Sequence, residues 1–275
     1  GLIWMKVLLL NPPFFPKFSR SSRSPAVTKG GTLYYPLWLA YATGVLEKEG
    51  FEAKLIDAPA RGLSLEETIK IAEEFKPELL IMDTSTPSIH NDLKVLQALK
   101  ERIECFALLV GTHVSALPEH ALRNSNAVDA VARHEYDYIV RDVAIALRDG
   151  KDWKNVKGIS FKEGNSIRHN EDMPLIENLD ELPFVSKVYK KHLNIKDYFY
   201  SANLYPEVTI VTGRGCPNQC KFCVWPQVFF SRKYRSRSVD NVVAEFEFIK
   251  KNFPEAKEVF IEDDTFTINK SRVRE

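Results

Sequence analysis

One continuous stretch decides the fold of the first half of the chain: residues 78–111 read ELLIMDTSTPSIHNDLKVLQALKERIECFALLVG. A short apolar run stands at each end, Glu78–Asp83 and Phe106–Gly111, as in strands that are buried on both faces. Between them, Asn91–Arg102 has a helical pattern. This order of strand, helix and strand predicts two parallel strands joined by a crossover helix.

The same alternation continues on both sides of this unit. Further strands are predicted at Lys6–Asn11, Glu52–Asp57 and Ala127–Ala132. Helices are predicted at about Leu37–Glu49, Ser64–Phe75, Pro118–Asn124 and Tyr138–Arg148. Ser64 is followed three residues later by Glu67, which is the pattern of a capping box. The fold class is therefore α/β, with a doubly wound parallel sheet whose ligands bind beyond the carboxyl ends of the strands.

The pattern changes after residue 150. A hairpin is predicted from Gly158–Phe161 and Ser166–His169, and an irregular connecting segment follows it. A second α/β pattern then begins at Glu207–Thr212, continues in a helix capped by Ser238, and reaches another strand at Glu258–Ile261. We therefore divide the chain into residues 5–150, 151–205 and 206–275, and we expect Met5 to be the natural start.

Composition and charge exclude several classes of protein. The 275 residues are 44% hydrophobic and 27% charged, as in a folded, soluble protein. The formal net charge of +1 gives no global electrostatic reason to expect binding to nucleic acid or to an anionic membrane. No apolar run approaches the roughly 18 residues of a membrane span. We expect a cytoplasmic protein, either free or peripheral to the membrane.

Three of the four cysteines fall in one short loop, which reads GRGCPNQCKFC from Gly213 to Cys223. Cys216, Cys220 and Cys223 have Cys-x3-Cys-x2-Cys spacing, and thiolates so placed can hold one iron–sulfur cluster. Structural zinc is the alternative, but it takes four protein ligands, and no Cys or His follows Cys223. The spacing therefore favours a 4Fe–4S cluster with one iron open to a small molecule. Cys105 lies alone in an apolar stretch and is predicted to be a core residue.

This loop resembles the signature of the radical S-adenosylmethionine superfamily, in which an aromatic residue, here Phe222, precedes the last cysteine. Residues 223–227 (CVWPQ), 234–238 (YRSRS) and 261–267 (IEDDTFT) are similar to the cobalamin-binding members. Within that group the chain looks closest to hopanoid-biosynthesis members, which remodel sugar-like lipid head groups. The resemblance covers essentially the whole chain.

The resemblance implies a cobalamin-binding, Rossmann-like first domain and the first βα units of a partial radical S-adenosylmethionine (β/α) barrel. Cys216, Cys220 and Cys223 would bind three irons, and S-adenosylmethionine would chelate the fourth. An electron from ferredoxin or flavodoxin would then yield a 5′-deoxyadenosyl radical, which abstracts hydrogen from an unreactive carbon. Methylation or rearrangement at that carbon would follow, and the hopanoid resemblance suggests a lipid head group as its carrier.

The same resemblance suggests which side chains meet S-adenosylmethionine. Phe222 would pack beside the cluster and the adenine, and Arg237 would bind the cofactor carboxylate. Glu262 and Asp263, at the end of a strand, would meet the methionine or ribose part. The alternatives are a solvated acidic strand end for these two acids, and a solvated or RNA-binding loop for the basic residues 232–237.

Cobalamin domains of the methionine-synthase kind carry Asp-x-His-x-x-Gly after the first strand, and the histidine binds cobalt. Here the corresponding loop, residues 11–18, reads NPPFFPKF, so bound cobalamin should lack a histidine ligand from this motif. For His113 and His134, the alternative to contact with cobalamin is an ordinary loop histidine that is hydrogen-bonded within the protein. The residues expected along the corrin and its tail are Thr84, Ser85, Gly111, Thr112, His113, His134 and Glu135.

Two rival functions remain at this point. One is an RNA-modifying radical enzyme, which would show strongly salt-dependent RNA binding. The other is a non-catalytic, truncated fragment that binds cofactor. Barrels of the family have about six βα units and this chain supplies about two, so we expect the isolated 275-residue chain to hold a cluster without productive turnover.

Overall fold

The computed structural model describes residues 4–21, 31–218 and 231–275, and every structural statement below concerns these ranges. A large seven-stranded sheet fills the first part of the chain. Its strands are β1 (Lys6–Asn11), β2 (Glu52–Asp57), β3 (Leu79–Thr84), β4 (Phe106–Gly111), β5 (Ala130–Ala132), β6 (Ile159–Glu163) and β7 (Ser166–His169). They lie in the order β2-β1-β3-β4-β5-β6-β7. Strands β1 to β5 are parallel, and β6 and β7 are antiparallel.

Helices cover both faces of this sheet. On β1, Val7 and Leu9 face one core layer, while Leu8 and Leu10 face the other. All four side chains are fully buried, which explains why β1 reads as an uninterrupted apolar run. The helices are α1 (Leu37–Lys48), α2 (Ala58–Arg61), α3 (Leu65–Phe75), α4 (Ile89–Lys100), α5 (Thr112–Ala116), α6 (Pro118–Asn124), α7 (Asp137–Asp149), α8 (Val185–His192), α9 (Val239–Asn252) and α10 (Lys270–Arg274).

The predicted α/β class and doubly wound sheet are confirmed. Strands β1, β2 and β4 have the predicted bounds: β1 and β4 are short apolar runs, while β2 alternates polar and apolar residues at its start. The capping box of α3 is also present: the Ser64 hydroxyl accepts a hydrogen bond from the Glu67 amide at 3.1 Å, and the Glu67 carboxylate accepts one from the Ser64 amide at 3.2 Å. These features depend on neighbouring residues alone.

The region after residue 150 differs from the prediction in two ways. The hairpin β6–β7 belongs to the large sheet, because Ile159 and Ser160 of β6 pair with β5 in antiparallel register. The connecting segment is also not wholly irregular, since α8 forms within it. Val185, Val188 and Tyr189 are spaced as one helical face and are buried against the core that contains α1.

The last part of the chain adds two further strand pairs. β8 (Glu207–Ile210) pairs in parallel with β11 (Glu258–Ile261), and α9 lies between them in sequence. β9 (Gly213–Arg214) pairs in antiparallel register with β10 (Arg235–Ser236). The segment that carries the cysteines thus begins directly after β9 and ends directly before β10, so its two ends lie side by side. In the described ranges no helix is both long enough and apolar enough to cross a membrane.

Candidate cofactor sites

The carboxyl ends of β3 and β4 approach each other unusually closely at Gly111. This residue has a φ of +104°, and a Cβ atom there would lie 2.3 Å from Asp83 Oδ1 and 2.6 Å from the Thr84 carbonyl oxygen. Only glycine fits this backbone without displacing its neighbours. Gly111 therefore lets the ends of β3 and β4 pack closely at the edge of the sheet where ligands of this fold bind.

Hydroxyl groups surround this edge. Thr84 Oγ1 donates to the Val110 carbonyl at 2.7 Å, and the Ser85 and Ser88 hydroxyls lie 2.6 Å apart. Thr112 opens α5 directly after Gly111. The structure thus brings together four of the residues predicted to line the cobalamin site, and their contacts with cobalamin stay a prediction.

Arg20 binds three side chains at the neighbouring part of the edge and was not predicted from the sequence. Its guanidinium donates to Asp92 Oδ1 at 2.6 Å, to Asn11 Oδ1 at 2.7 Å and to Ser88 Oγ at 3.2 Å. The side chains of Arg20 and Asp92 are fully buried. No local signal reveals this pair, because 72 residues separate its partners.

His113 is buried and neutral. Its Nδ1 lies 3.1 Å from Thr86 Oγ1, and its Nε2 lies 3.0 Å from His120 Nδ1. Burial, with His120 and His90 nearby, lowers the pKa of His113 to about 4. Both ring nitrogens therefore have protein partners, which agrees with the hydrogen-bonded histidine that was the alternative for this residue.

His134 lies in the loop after β5 with φ of +68°, and its amide donates to Ser115 Oγ at 2.8 Å.

Two buried acids at the edge have raised pKa values. Burial raises the pKa of Asp57 to about 6, although Tyr198 and Asn11 each donate to its carboxylate at 2.8 Å. Burial raises the pKa of Asp83 to about 7, against the opposing effects of Arg20 and the Thr84 amide. Asp83 therefore exchanges a proton near neutral pH, beside Gly111.

The Asp83→Asn variant should be more stable than the wild type at alkaline pH. As the pH rises, Asp83 ionises in the unfolded chain near its ordinary pKa of 3.8 but in the folded chain only near a pKa of about 7, so wild-type stability falls between these values. Asparagine cannot ionise and keeps an acceptor for the Thr84 amide. We expect the variant to gain about 2 kcal/mol relative to wild type between about pH 5 and about pH 8.

Urea unfolding of both proteins at the two pH values measures this gain. Asp57 titrates in both proteins, so its contribution cancels in the comparison. A stability difference that is the same at both pH values would show that Asp83 is ionised throughout.

The cysteine loop begins at Cys216, whose partly buried thiol is free. The preceding Gly215 has a φ of +93°, and a Cβ there would lie 2.2 Å from the Lys233 carbonyl oxygen, so the two ends of the loop touch. Cys220, Phe222 and Cys223 lie outside the described residues, and their roles stay predictions. No group of three or more His, Cys, Asp or Glu side chains is arranged to hold a metal ion among the residues that the structure does describe.

Glu135 lies between the sheet and the cysteine loop. Its carboxylate accepts hydrogen bonds from Arg235 Nη1 at 2.8 and 3.0 Å, from Arg214 Nη1 at 3.1 Å and from the Ile176 amide at 2.7 Å. Asp137 accepts from the same Arg214 at 2.8 Å. Glu135 thus joins three segments of the chain, and its predicted contact with the cobalamin tail stays a prediction.

Asp263 supports the strand that leads to the cysteines. Its carboxylate accepts from the Thr212 amide at 2.6 Å, from the Gly213 amide at 3.2 Å and from the Thr212 hydroxyl. Burial raises the pKa of Asp263 despite these donors. The adjacent Glu262 is partly buried, and its amide donates to the Ile210 carbonyl at 2.9 Å.

Arg237 is buried at the start of α9. It donates to Glu245 Oε1 at 2.7 Å, to Asn241 Oδ1 at 2.6 Å and to the Val211 carbonyl at 2.8 Å. Glu245 in turn accepts from the hydroxyl and amide of Ser186 on α8. The guanidinium therefore binds α9 and the residue that follows β8, and Glu245 links it to α8; its role in binding the cofactor carboxylate stays a prediction.

Comparison with known proteins agrees with this arrangement. Residues 23–144 match the B12 binding domain. An uncharacterised methyltransferase of Pyrococcus horikoshii is 32% identical over 98% of this chain and 55% of its own length. The chain therefore spans about half the length of this relative.

Two solved structures share the fold. The cobalamin-dependent S-adenosylmethionine radical enzyme OxsB, with aqua-cobalamin and S-adenosylmethionine bound, superposes with a TM-score of 0.73 at 18% identity, over 95% of this chain and 34% of its own. The radical S-adenosylmethionine methyltransferase TsrM of Kitasatospora setae, with cobalamin and a [4Fe-4S] cluster bound, gives a TM-score of 0.72 at 16% identity, over 99% of this chain and 50% of its own.

The fold and the cysteine loop define an α/β protein with a B12-binding domain followed by a cysteine-bearing βα segment. Residues 23–144 carry the B12-binding domain, and almost the whole chain shares the fold of solved cobalamin-dependent S-adenosylmethionine radical enzymes, so the resemblance seen in the sequence is confirmed at the level of domain and fold. The closer resemblance to hopanoid-biosynthesis members stays a prediction.

Proposed function

We propose that this chain binds cobalamin, a 4Fe–4S cluster and S-adenosylmethionine, and that it serves the radical methylation of an unactivated carbon. One observation carries the proposal: the strands that flank the cysteine loop, β9 and β10, bind directly to the loop after β5 of the B12-binding domain. The two ends of the cysteine loop and the edge that would hold cobalamin are thereby adjacent.

The residues at the edge fit cobalamin. Gly111 holds the ends of β3 and β4 close together, and Thr84, Ser85 and Thr112 add hydroxyl groups at the same edge, where ligands of this fold bind. The loop after β1 supplies no histidine, and both ring nitrogens of His113 are engaged within the protein. The protein would therefore hold the corrin without a histidine ligand from the first loop.

The residues near the cysteine loop fit a cluster as well. Cys216 offers a free thiol at the start of the loop, and Gly215 lets the loop close against Lys233. When bound, the cluster would supply the electron that cleaves S-adenosylmethionine, and cobalamin would carry the methyl group. The surrounding protein positions these groups and excludes water. Ferredoxin or flavodoxin is the electron donor that we propose.

Methylation is favoured over rearrangement because the Pyrococcus relative and TsrM are both named methyltransferases. A carbon of a lipid head group remains the acceptor that we propose from the hopanoid resemblance. The RNA-modifying alternative has weaker support, because Arg235 and Arg237 of the basic stretch point into buried ion pairs.

The products made from S-adenosylmethionine distinguish these functions. The anaerobically reconstituted chain, given hydroxocobalamin, S-adenosylmethionine and dithionite, should form S-adenosylhomocysteine only when cobalamin is present. We expect a single methyl transfer that needs no acceptor substrate, because productive turnover is not expected of the isolated chain. A rearrangement enzyme would form 5′-deoxyadenosine with no cobalamin-dependent S-adenosylhomocysteine. Mass spectrometry of the quenched reaction measures both products, and protein reconstituted without cobalamin is the control.

A further inference from the structure

We propose that Glu135 is a positioning residue, which fixes the cysteine loop at a set distance from the B12-binding domain through a buried ion-pair network. The network consists of Glu135, Asp137, Arg214 and Arg235. Its importance for catalysis rests on the proposed function, because the loop matters to the reaction only if it carries the cluster.

One carboxylate, that of Glu135, binds both ends of the cysteine loop. Arg214 is on β9, where the chain enters the loop, and Arg235 is on β10, where it returns. These two arginines are paired in the register of the strands. Glu135 binds both of them, at 3.1 Å and 2.8 Å, and Asp137 binds Arg214 at 2.8 Å.

The network is buried and its charges balance. The side chains of Glu135, Arg214 and Arg235 are each at most 3% exposed, and that of Asp137 is 6% exposed. Two acids thus face two bases away from water. Removing one member would leave an unpaired charge in the interior, which is far more costly than the pair is stabilising. The arrangement therefore permits one position of the loop and penalises others.

The network also begins at the edge where cobalamin is expected. Glu135 follows β5 by three residues, after a turn in which His134 has a φ of +68° and donates its amide to Ser115 Oγ. The Glu135 carboxylate further accepts from the Ile176 amide of the connecting segment. The edge of the sheet and the two ends of the cysteine loop are thus joined through a single side chain.

Two aromatic rings pack near Arg214, one of the two arginines of the network. The guanidinium of Arg214 lies 5.2 Å from the Trp38 ring and 4.9 Å from the Tyr41 ring, both on α1. An arginine side chain stays charged at physiological pH, so Arg214 is a permanent cation, and α1 and α7 orient it together.

A reaction that uses two cofactors requires the cysteine loop to keep a fixed position relative to the B12-binding domain. Reacting groups must be held within a fraction of an ångström of their productive geometry, and small displacements cost large factors in rate. A loop attached only through its own short strands β9 and β10 would meet this demand poorly.

Hydrogen exchange of the cofactor-free chain tests the inference. Glu135→Gln keeps the size of the side chain and removes its charge. We expect amides in peptides covering 211–218 and 231–237 to exchange about tenfold faster or more, while amides of β1 and β3 keep their wild-type rates. Asp92→Asn, which breaks the buried Arg20–Asp92 pair, is the matched control and should leave the loop peptides unchanged.

Arg235→Lys provides a second variant in case Glu135→Gln does not fold, since it keeps the charge and loses the planar donor geometry. It should show the same local acceleration to a smaller degree. Wild-type exchange in the loop peptides of every variant that folds, or equal acceleration throughout the chain, would overturn the inference.

A distance measurement extends the test to the reconstituted protein. Pulsed electron paramagnetic resonance between cob(II)alamin and the reduced cluster should give one narrow distance distribution in the wild type and a broader one in Glu135→Gln. An equally narrow distribution in both would overturn the role in catalysis. Loss of cofactor binding by the wild type would instead overturn the proposed function, while the exchange result on the cofactor-free chain would still decide whether Glu135 positions the loop.

Discussion

Replacing Cys216 by alanine is expected to abolish the iron–sulfur cluster and to lower bound iron from about four atoms per chain to near zero. Three protein thiolates are the fewest that hold such a cluster with one iron open, so the loss of one leaves only two. Cys216 is the cysteine at the start of the loop, where Gly215 and the β9–β10 pair fix the backbone. Iron and sulfide assays after anaerobic reconstitution, together with the visible absorption of the protein, measure this loss. Cys220→Ala should have the same effect.

Cys105→Ala is the matched control for this experiment. Cys105 is partly buried against the apolar side of the sheet, and burial raises the pKa of its thiol to about 11. It is therefore a neutral thiol at physiological pH and a poor metal ligand. Its replacement should leave the iron content at the wild-type value. A Cys216→Ala protein with a full complement of iron would refute the ligand assignment.

Replacing Gly111 by alanine is expected to destabilise the fold by about 3 kcal/mol or more and to weaken cobalamin binding at the same time. The added Cβ would meet Asp83 Oδ1 at 2.3 Å and the Thr84 carbonyl at 2.6 Å, and backbone with a φ of +104° is strained for any residue with a side chain. Strands β3 and β4 would have to separate at the edge that is expected to contact the corrin. Urea unfolding measures the first effect, and titration with hydroxocobalamin measures the second.

Gly150→Ala is the matched control for Gly111→Ala. Gly150 also has a positive φ, of +65°, but no atom lies within 4 Å of the position of its Cβ. Its replacement should cost only the conformational strain, about 1 kcal/mol, and should not change cobalamin binding. Equal losses of stability in the two variants would show that the close approach at Gly111 is unimportant.

Local features of the fold could be predicted from the sequence, and long-range ones could not. The bounds of β1, β2 and β4 and the capping box of α3 follow from residues that are neighbours in the chain. The pairing of β6 with β5 does not, because either edge of a short hairpin can pair. Helix α8 was missed because its apolar face is only three residues long, and its burial against α1 depends on the tertiary fold.

In the candidate site, too, local features could be predicted from the sequence and long-range contacts could not. The three cysteines could be proposed as ligands because their spacing is local and has a chemical meaning. Gly111 could be placed at the edge because it ends an apolar strand. The partners of Glu135 could not be foreseen, because Arg235 is 100 residues away in sequence. Arg237 and Asp263 were assigned to S-adenosylmethionine from the resemblance, and only the structure shows how Glu245, Thr212 and Gly213 engage them.

The metal content of the reconstituted chain decides whether one chain holds both the cluster and cobalamin. Protein that has been reconstituted anaerobically with iron, sulfide and hydroxocobalamin, and then desalted, should retain about four irons and about one cobalt per chain. Both metals must remain on the same molecule, because the cluster and the corrin are proposed to lie beside each other in one chain. Stoichiometric zinc with no capacity for iron, or complete loss of cobalt on desalting, would contradict it.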